Sequence, residues 1–562
     1  MMKNSTPCHR LLVVLSTLAI GACAETKRPG VSRIHMVEIL LTSEAGHKLA
    51  SIDVVPFRSG RADGTVISVD PQGTKQTIDG IGTSFTESSA FVLAHLDPER
   101  RRDVMQKIFG ASGANFTLAR THIGSCDFTV EGKYSYADEP NGPDLTAFSI
   151  APDTAGFDPA DYPGIKDATY DLLPMIQEAL AVKRKQQDPE LRIVASAWTA
   201  PAWMKNIGTW YVPASPDNDW QGDGGWLKPD YLSTYADYLL KYLDAYESAG
   251  VKIWGLTPVN EPHGNGGHWE SMHFSPESQN DFVKHHLGPR LRQSAHSDAR
   301  LLVYDQNRDG LEDWTDVIFA DPQTANHVYG VAVHWYSSTF KAYEDAFDRV
   351  HAKFPKFTII HTEGCLDNLG NDAPVGIEDP VRFKESGWFK NDAFWWNANA
   401  TDWAYSATWA GPAAADHPIY TPVHRYARDI IVSLDHWVSG WIDWNIVLDK
   451  DGGPNHAGNF CGAPIMIDTS TQEVYYTPIY HVLAQFSRTI RPGDYAVRTR
   501  RALDGLDADA LHACATINDR SILSVQVLNT TKTVIAYKLQ IAGSYAEITI
   551  PANSLQTVRV QL

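Results

Sequence analysis

The alternation of apolar and polar positions divides the chain into three textures. Residues 34–75 follow the two-residue period of half-buried strands, as in HMVEILLTS and TVISVD, with Gly and Asp turns between them. From about residue 76, short β-rich runs alternate with longer runs of helical period, the pattern of repeated βα units. After about residue 485 strand alternation returns in ALHACATI, SILSVQVLN, VIAYKLQIA and QTVRVQL, which predicts an antiparallel sheet or sandwich.

The middle region holds eight candidate strands, at 77–85, 115–123, 192–198, 252–259, 300–306, 330–336, 357–364 and 437–445. The clearest intervening helix is YLSTYADYLLKYLDAYESAG (231–250), whose apolar and aromatic positions recur at three and four and end on a Gly suited to a C-cap. These units predict an α/β fold with a (β/α)8 barrel over 76–484. A doubly wound sheet is the alternative, but no Gly-rich phosphate loop follows the first strand. The strands of 34–75 have no partners of their own. They are expected to join 485–562 in a second, all-β sandwich domain built from both ends of the chain.

The N-terminus has a different logic. Lys3 and Arg10 precede the apolar run LLVVLSTLAI (11–20), which is too short to span a bilayer and has the length of a signal-peptide core. Residues 1–23 are therefore read as a targeting segment, with 24–33 as a tether. IGAC (20–23) resembles a bacterial lipobox, making Cys23 a candidate lipid anchor. Ala22-Cys23-Ala24 is the competing site for ordinary secretion. Either way the expectation is an exported protein: periplasmic, anchored in the outer membrane, or secreted.

Composition and charge narrow the chemistry. The formal net charge of −19 argues against a nucleic-acid partner, because phosphate binding needs a basic surface. Cys126, Cys365, Cys461 and Cys514 show no CxxC spacing, so a zinc site is not expected; one disulfide or four buried thiols both fit. HGNGGH (263–268) could suggest a metal but reads rather as a substrate loop, and DKDGGPN (449–455) lacks the regular acidic ligands and closing Glu of an EF-hand, so no metal is expected. The sequons at Asn115, Asn399 and Asn529 are expected to be idle.

In a barrel, catalytic groups stand at the C-terminal ends of the strands. Those ends carry Asp127, Trp198, Asn260, Glu261, Asp305, His334, Tyr336, Glu363, Asp443 and Trp444. Glu261 and Glu363, on the fourth and seventh ends, would face each other across one pocket. Two carboxylates flanking a sugar bond are the machinery of glycoside hydrolysis: one protonates the leaving oxygen, the other attacks the anomeric carbon or activates water.

The motifs LTPVNEP (256–262), SAWTAPAWMK (196–205), VHWY (333–336), HTEGC (361–365) and GWIDWN (440–445), with DGGPN (451–455) and YYTPIYHVLAQFSRTIRPG (475–493), resemble glycoside hydrolase family 30, the glucosylceramidase family. They occur in the family's order over nearly the whole chain after the leader, and the likeness is greater to bacterial members. The segment 425–455 is similar to members that include glucan endo-1,6-β-glucosidases. The resemblance implies Glu261 as general acid/base, Glu363 as nucleophile and Asn260 near the sugar 2-hydroxyl. It implies Asp127, Trp198 and Trp444 as glucose-binding residues, Tyr336 close to the nucleophile, Arg120 orienting it, and His334 in the same site. No cofactor is implied. The implied activity is a retaining β-glucosidase of glucosylceramidase type, with an endo-acting β-1,6-glucanase as the alternative and a β-xylosidase or fucosidase as a weaker one. The partner in every case is a β-glycoside: an oligo- or polysaccharide, or a glycolipid. From a different class comes an idle carbohydrate-binding lipoprotein, against which the presence of both glutamates argues. The Trp-rich segment 365–436, with Trp388, Trp395, Trp396, Trp403 and Trp409, is expected either to build the aglycone side or to form a packed subdomain.

Overall fold

The computed structural model describes residues 34–138, 144–187, 190–213, 224–263, 267–366, 387–397, 415–418 and 420–562. The leader 1–23 with Cys23, the sequon at Asn399, and Trp403 and Trp409 lie outside the described residues. No described helix is long and apolar enough to cross a membrane.

All eight expected strands form. Gly80–Phe85, Leu118–Ile123, Arg192–Ala197, Gly255–Thr257, Arg300–Asn307, Gly330–His334, Thr358–Glu363 and Val438–Asp443 close into one parallel barrel. The first two approach so closely that a Cβ on Gly82 would sit 1.6 Å from the Leu118 carbonyl oxygen, so only glycine fits. The fourth is shorter than the 252–259 predicted. Its flanks still follow the third strand, through Trp254 N–H to Ile193 O at 2.8 Å and Asn260 N–H to Ala197 O at 2.7 Å. The helix read over 231–250 spans Leu232–Ser248, and Gly250 takes φ 82° beyond its end.

Side-chain alternation explains the barrel interior. Leu118, Val194, Leu302, Ala332, Ile360 and Ile442 form a small apolar cluster. Two residues further along four of these strands, on the same face, come Arg120, Ser196, His334 and Thr362. The interior therefore changes from apolar to polar toward the strands' C-terminal ends. Two further on stand Trp198 and Tyr336, while on the eighth strand Trp444 follows Ile442 by two.

The second domain is one ten-stranded sheet, and both ends of the chain build it. His35–Ser43 pairs antiparallel with Ser554–Gln561, and Val66–Thr77 with Tyr495–Ala502. One pairing departs from the antiparallel expectation: Ile535–Ile541 runs parallel to Val66–Thr77. The sheet folds over itself, because Tyr537 donates to Gln556 Oε1 at 2.8 Å from a strand well removed in the sheet order. Ile39, Ile67, Val497, Val525, Leu539, Ile550 and Val558 thereby share one apolar core, which gives the sandwich. The helix Pro478–Thr489 carries the barrel's texture past residue 485, and the first strand after it begins at Tyr495.

Candidate active site

The fold gathers the strand ends around a pocket of about 200 Å³, lined by Asp127, Trp198, Asn260, Glu261, Trp269, Tyr336, Glu363, Cys365, Trp444, Asn459 and Cys461. That lies below the usual range for drug-sized ligands and suits one small ring. Trp198 and Trp444 stack with centroids 5.2 Å apart and 22° between planes.

Backbone irregularities aim the acids. The register between the sixth and seventh strands slips before the pair His334–Glu363, and that between the fifth and sixth slips past Asp305. Tyr304 and Asp305 are both left-handed, at φ 73° and 68°, and Glu261 takes φ 50°. Such conformations are costly for these residues, and they cluster where function sits. The Glu261 N–H donates to the Asp305 carbonyl at 2.9 Å, locking the two strand ends together.

Beneath the pocket lies a fully buried polar layer. Arg120 Nη1 pairs with Glu363 Oε2. Its Nη2 donates to Asp305 Oδ2 at 2.7 Å and Asn260 Oδ1 at 2.6 Å, and its Nε donates to Ser196 Oγ at 3.1 Å. Asp305 also accepts from Ser196, Thr257 and Thr362. His334 bridges two carboxylates, with Nε2 3.0 Å from Asp305 Oδ1 and Nδ1 3.2 Å from Glu261 Oε1. Tyr336 donates to Glu363 Oε1 at 3.1 Å.

The charges follow from these contacts. Burial opposes ionisation of Asp305, but Arg120 and His334 hold its carboxyl far below the usual range. Burial opposes the His334 cation as well, yet Glu363, Asp305 and Glu261 keep the ring up at about 9. Burial pushes Glu363 up, against the pull of the His334 and Arg120 cations. Asp127 is raised to about 7 by burial and by Glu363, and only its Oδ2 is engaged, by Asn459 Nδ2 at 3.1 Å. Its buried Oδ1 has no hydrogen-bond partner among the described residues.

Each site residue expected from sequence thus falls at this one end of the barrel, but in two shells. Asp127, Trp198, Asn260, Glu261, Tyr336, Glu363 and Trp444 line the pocket. Arg120 and His334 do not: both are wholly buried below it, where Arg120 contacts Glu363 and His334 contacts Glu261. The reason is position along the strand: on the same inward face, they stand two residues nearer the apolar cluster than Trp198 and Tyr336 do. Asp443 is turned away from the pocket, accepting from Tyr426 at 2.7 Å and Thr83 at 3.1 Å.

Sequence reading missed Trp269, Asn459 and Cys461 and gave Cys365 no role. Asn459 and Cys461 arrive on a loop between the short strands Val447–Asp449 and Ile465–Asp468. Asn455 Oδ1 shapes that loop by accepting from the N–H groups of Ala457, Gly458 and Asn459. His456 anchors it on Glu270 at 3.1 Å. Asn455, inside the turn-rich DKDGGPN, was the available signal. Trp388, Trp395 and Trp396 are buried against neighbouring aromatics, so the described part of their segment is a packed subdomain.

Carboxylate oxygens of Glu261 and Glu363 and a ring nitrogen of His334 lie within 4.8 Å of one another, a spacing that could hold a metal ion. Both His334 nitrogens are already engaged and Arg120 pairs with Glu363, so the trio is charge-compensated by side chains.

Comparison with known proteins gives the chain its relatives. The lysosomal acid glucosylceramidase of Mus musculus is 28% identical over 469 residues, covering 83% of this chain and 77% of that protein. The endo-1,6-β-D-glucanase of Neurospora crassa is 25% identical over 487 residues, covering 85% and 84%. The crystal structure of SrfJ from Salmonella typhimurium shares the fold with a TM-score of 0.74 at 24% identity, over 93% of this chain and 99% of that one. The model of the glycosyl hydrolase family 30 TIM-barrel domain matches residues 78–385 and 407–490, and the chain belongs to that family of glycoside hydrolases.

Proposed function

We propose that the protein cleaves β-glucosidic bonds with retention, Glu363 acting as nucleophile and Glu261 as general acid and then base. The observation that carries this reading is the approach of carboxylate oxygens of the two residues to within 4.8 Å. Retaining glycosidases hold their carboxyls about 5–5.5 Å apart, whereas inverting ones leave about 6.5–9.5 Å for a water.

The steps follow from the charges. Arg120 and Tyr336 hold Glu363 by one oxygen each. Glu363 attacks the anomeric carbon while Glu261 gives its proton to the leaving oxygen, forming a glycosyl ester and releasing the aglycone. With Glu261 protonated, the buried cluster balances: Arg120 and His334 positive, Asp305 and Glu363 negative. Esterification removes the charge on Glu363, and ionised Glu261 restores the balance. It then takes a proton from water, which attacks the anomeric carbon, breaks its bond to the Glu363 oxygen and regenerates the carboxylate. His334 holds one oxygen of Glu261 throughout, leaving the other for the proton. Asn260 offers its amide N–H₂ to the sugar, since Arg120 occupies the carbonyl oxygen. Asp127 Oδ1 takes a sugar hydroxyl.

The substrate in this reading is a β-glucoside of the glucosylceramide type, supported by the mouse relative and the one-ring pocket. The Neurospora relative supports a second reading, endo-action on β-1,6-glucan. The leader's apolar run makes the enzyme an exported one. Detergent-dispersed glucosylceramide and β-1,6-glucan, offered side by side, test the proposal. Free glucose from the lipid, appearing first as the β anomer, is expected. An α anomer appearing first would overturn double displacement. Short oligomers from the glucan, with no glucose from the lipid, would replace the glucosylceramide reading by the endo one.

A further inference from the structure

Two cysteines of the pocket wall have no part in that chemistry. Cys365 follows the nucleophile by two residues, and Cys461 sits on the loop that carries Asn459. Their Sγ atoms are 3.3 Å apart, and both residues are buried in the protein yet open on the pocket. Neither is in a disulfide. The backbone holds them side by side, because Leu366 and Gly462 form an isolated antiparallel bridge with Gly462 N–H donating to Leu366 O at 2.7 Å. A Cβ at Gly462 would meet Trp395 and Leu366 at 3.0 and 3.3 Å, so this close packing leaves the bridge little freedom to slide.

We infer that Cys365 and Cys461 are a modification site: a dithiol that closes to an intrachain disulfide by exchange with a small disulfide entering the pocket. A disulfide needs its sulfurs about 2.05 Å apart, a closure of little more than 1 Å from the present separation. Both thiols lie in one wall, so the reagent that reaches one finds the second beside it. One thiolate attacks a sulfur of the reagent, forming a mixed disulfide and releasing one reagent thiol. The second attacks the protein sulfur of that mixed disulfide, expelling the other reagent thiol. Two electrons pass to the reagent, and the two cysteine protons leave with its thiols. The bond ties the nucleophile's strand end to the loop that sets Asn459 against Asp127 and closes a loop of about a hundred residues.

The reduced, purified protein is treated with 2-hydroxyethyl disulfide, alkylated, digested and analysed by mass spectrometry. The expected product is a Cys365–Cys461 cross-linked peptide, two mass units lighter than the sum of its reduced parts, with Cys126 and Cys514 still alkylated. A persistent 2-hydroxyethylthio mixed disulfide on either residue, or both residues alkylated after exhaustive treatment, would overturn the inference. The cross-linked form should melt higher by about 5 °C, and its amides at 455–461 should exchange more slowly. Cys461→Ser should show neither change on treatment and should stop at the mixed disulfide on Cys365. The mass readout is made on the wild type, so it stands even if that variant does not fold.

Discussion

His334 Nδ1 lies 3.2 Å from Glu261 Oε1, and the same ring reaches Asp305 through Nε2 at 3.0 Å. Its carboxylate neighbours hold the folded ring at about 9, well above the ~6.5 of an unfolded histidine. A raised histidine contributes stability that is fully present below about pH 6.5 and is lost as the pH climbs through about 9. The contribution is on the order of 3 kcal/mol. Urea unfolding of wild type and His334→Gln at pH 6 and 9.5 should show the wild type losing that much more than the variant. Equal losses in the two proteins would mean that the ring is neutral in the folded enzyme.

Glu363 is held by Arg120 and Tyr336 and lines the pocket, and its oxygen is the nucleophile in the proposed chemistry. Glu363→Gln keeps the shape and an acceptor for Tyr336 but not the nucleophilic charge. Turnover of a fluorogenic β-glucoside should fall by more than ~10⁴-fold, with the circular dichroism spectrum unchanged. A wild-type rate in that variant would remove Glu363 from the mechanism.

The strand ends were readable because each closes an apolar run, and a barrel brings all such ends to one face. That logic placed Glu261 and Glu363 together from motifs a hundred residues apart. It could not grade depth, since whether Arg120 touches sugar or supports Glu363 depends on position along the strand and on the register slips at Asp305 and Glu363. Nor could it find Asn459 and Cys461. Their place is fixed by the bridge between Leu366 and Gly462, a pairing of two loops with no periodic signal. In the second domain, alternation identified the strands, but the parallel pairing of Val66–Thr77 with Ile535–Ile541 is a long-range choice that alternation does not encode.

The nucleophile's ionisation should set the acid side of the pH profile. Burial raises Glu363 above an ordinary glutamate, so the acid limb of kcat/KM should lie above pH 4.5. Tyr336 donates to the ionised form, and losing one such bond, worth ~1 kcal/mol, raises the carboxyl further. Tyr336→Phe should therefore move the acid limb up by about 0.7 pH unit. A limb that stays in place would mean that the bond is not made in the free enzyme, and a downward shift would reverse the assigned role.

Glu261 is separated from the nucleophile by its task as well as its strand. Its proton matters most when the departing oxygen is a poor leaving group, such as the alcohol of a lipid or a second sugar. Glu261→Ala should lower kcat/KM on glucosylceramide by ~10³-fold, within the usual range for general acid catalysis. The dinitrophenolate of a dinitrophenyl β-glucoside leaves unaided, so glycosylation of Glu363 should be slowed by less than ~10-fold. Deglycosylation still needs a base, and the aryl substrate should therefore show a burst of one phenolate per enzyme followed by slow turnover. Equal losses on both substrates, without a burst, would assign the proton to a group other than Glu261.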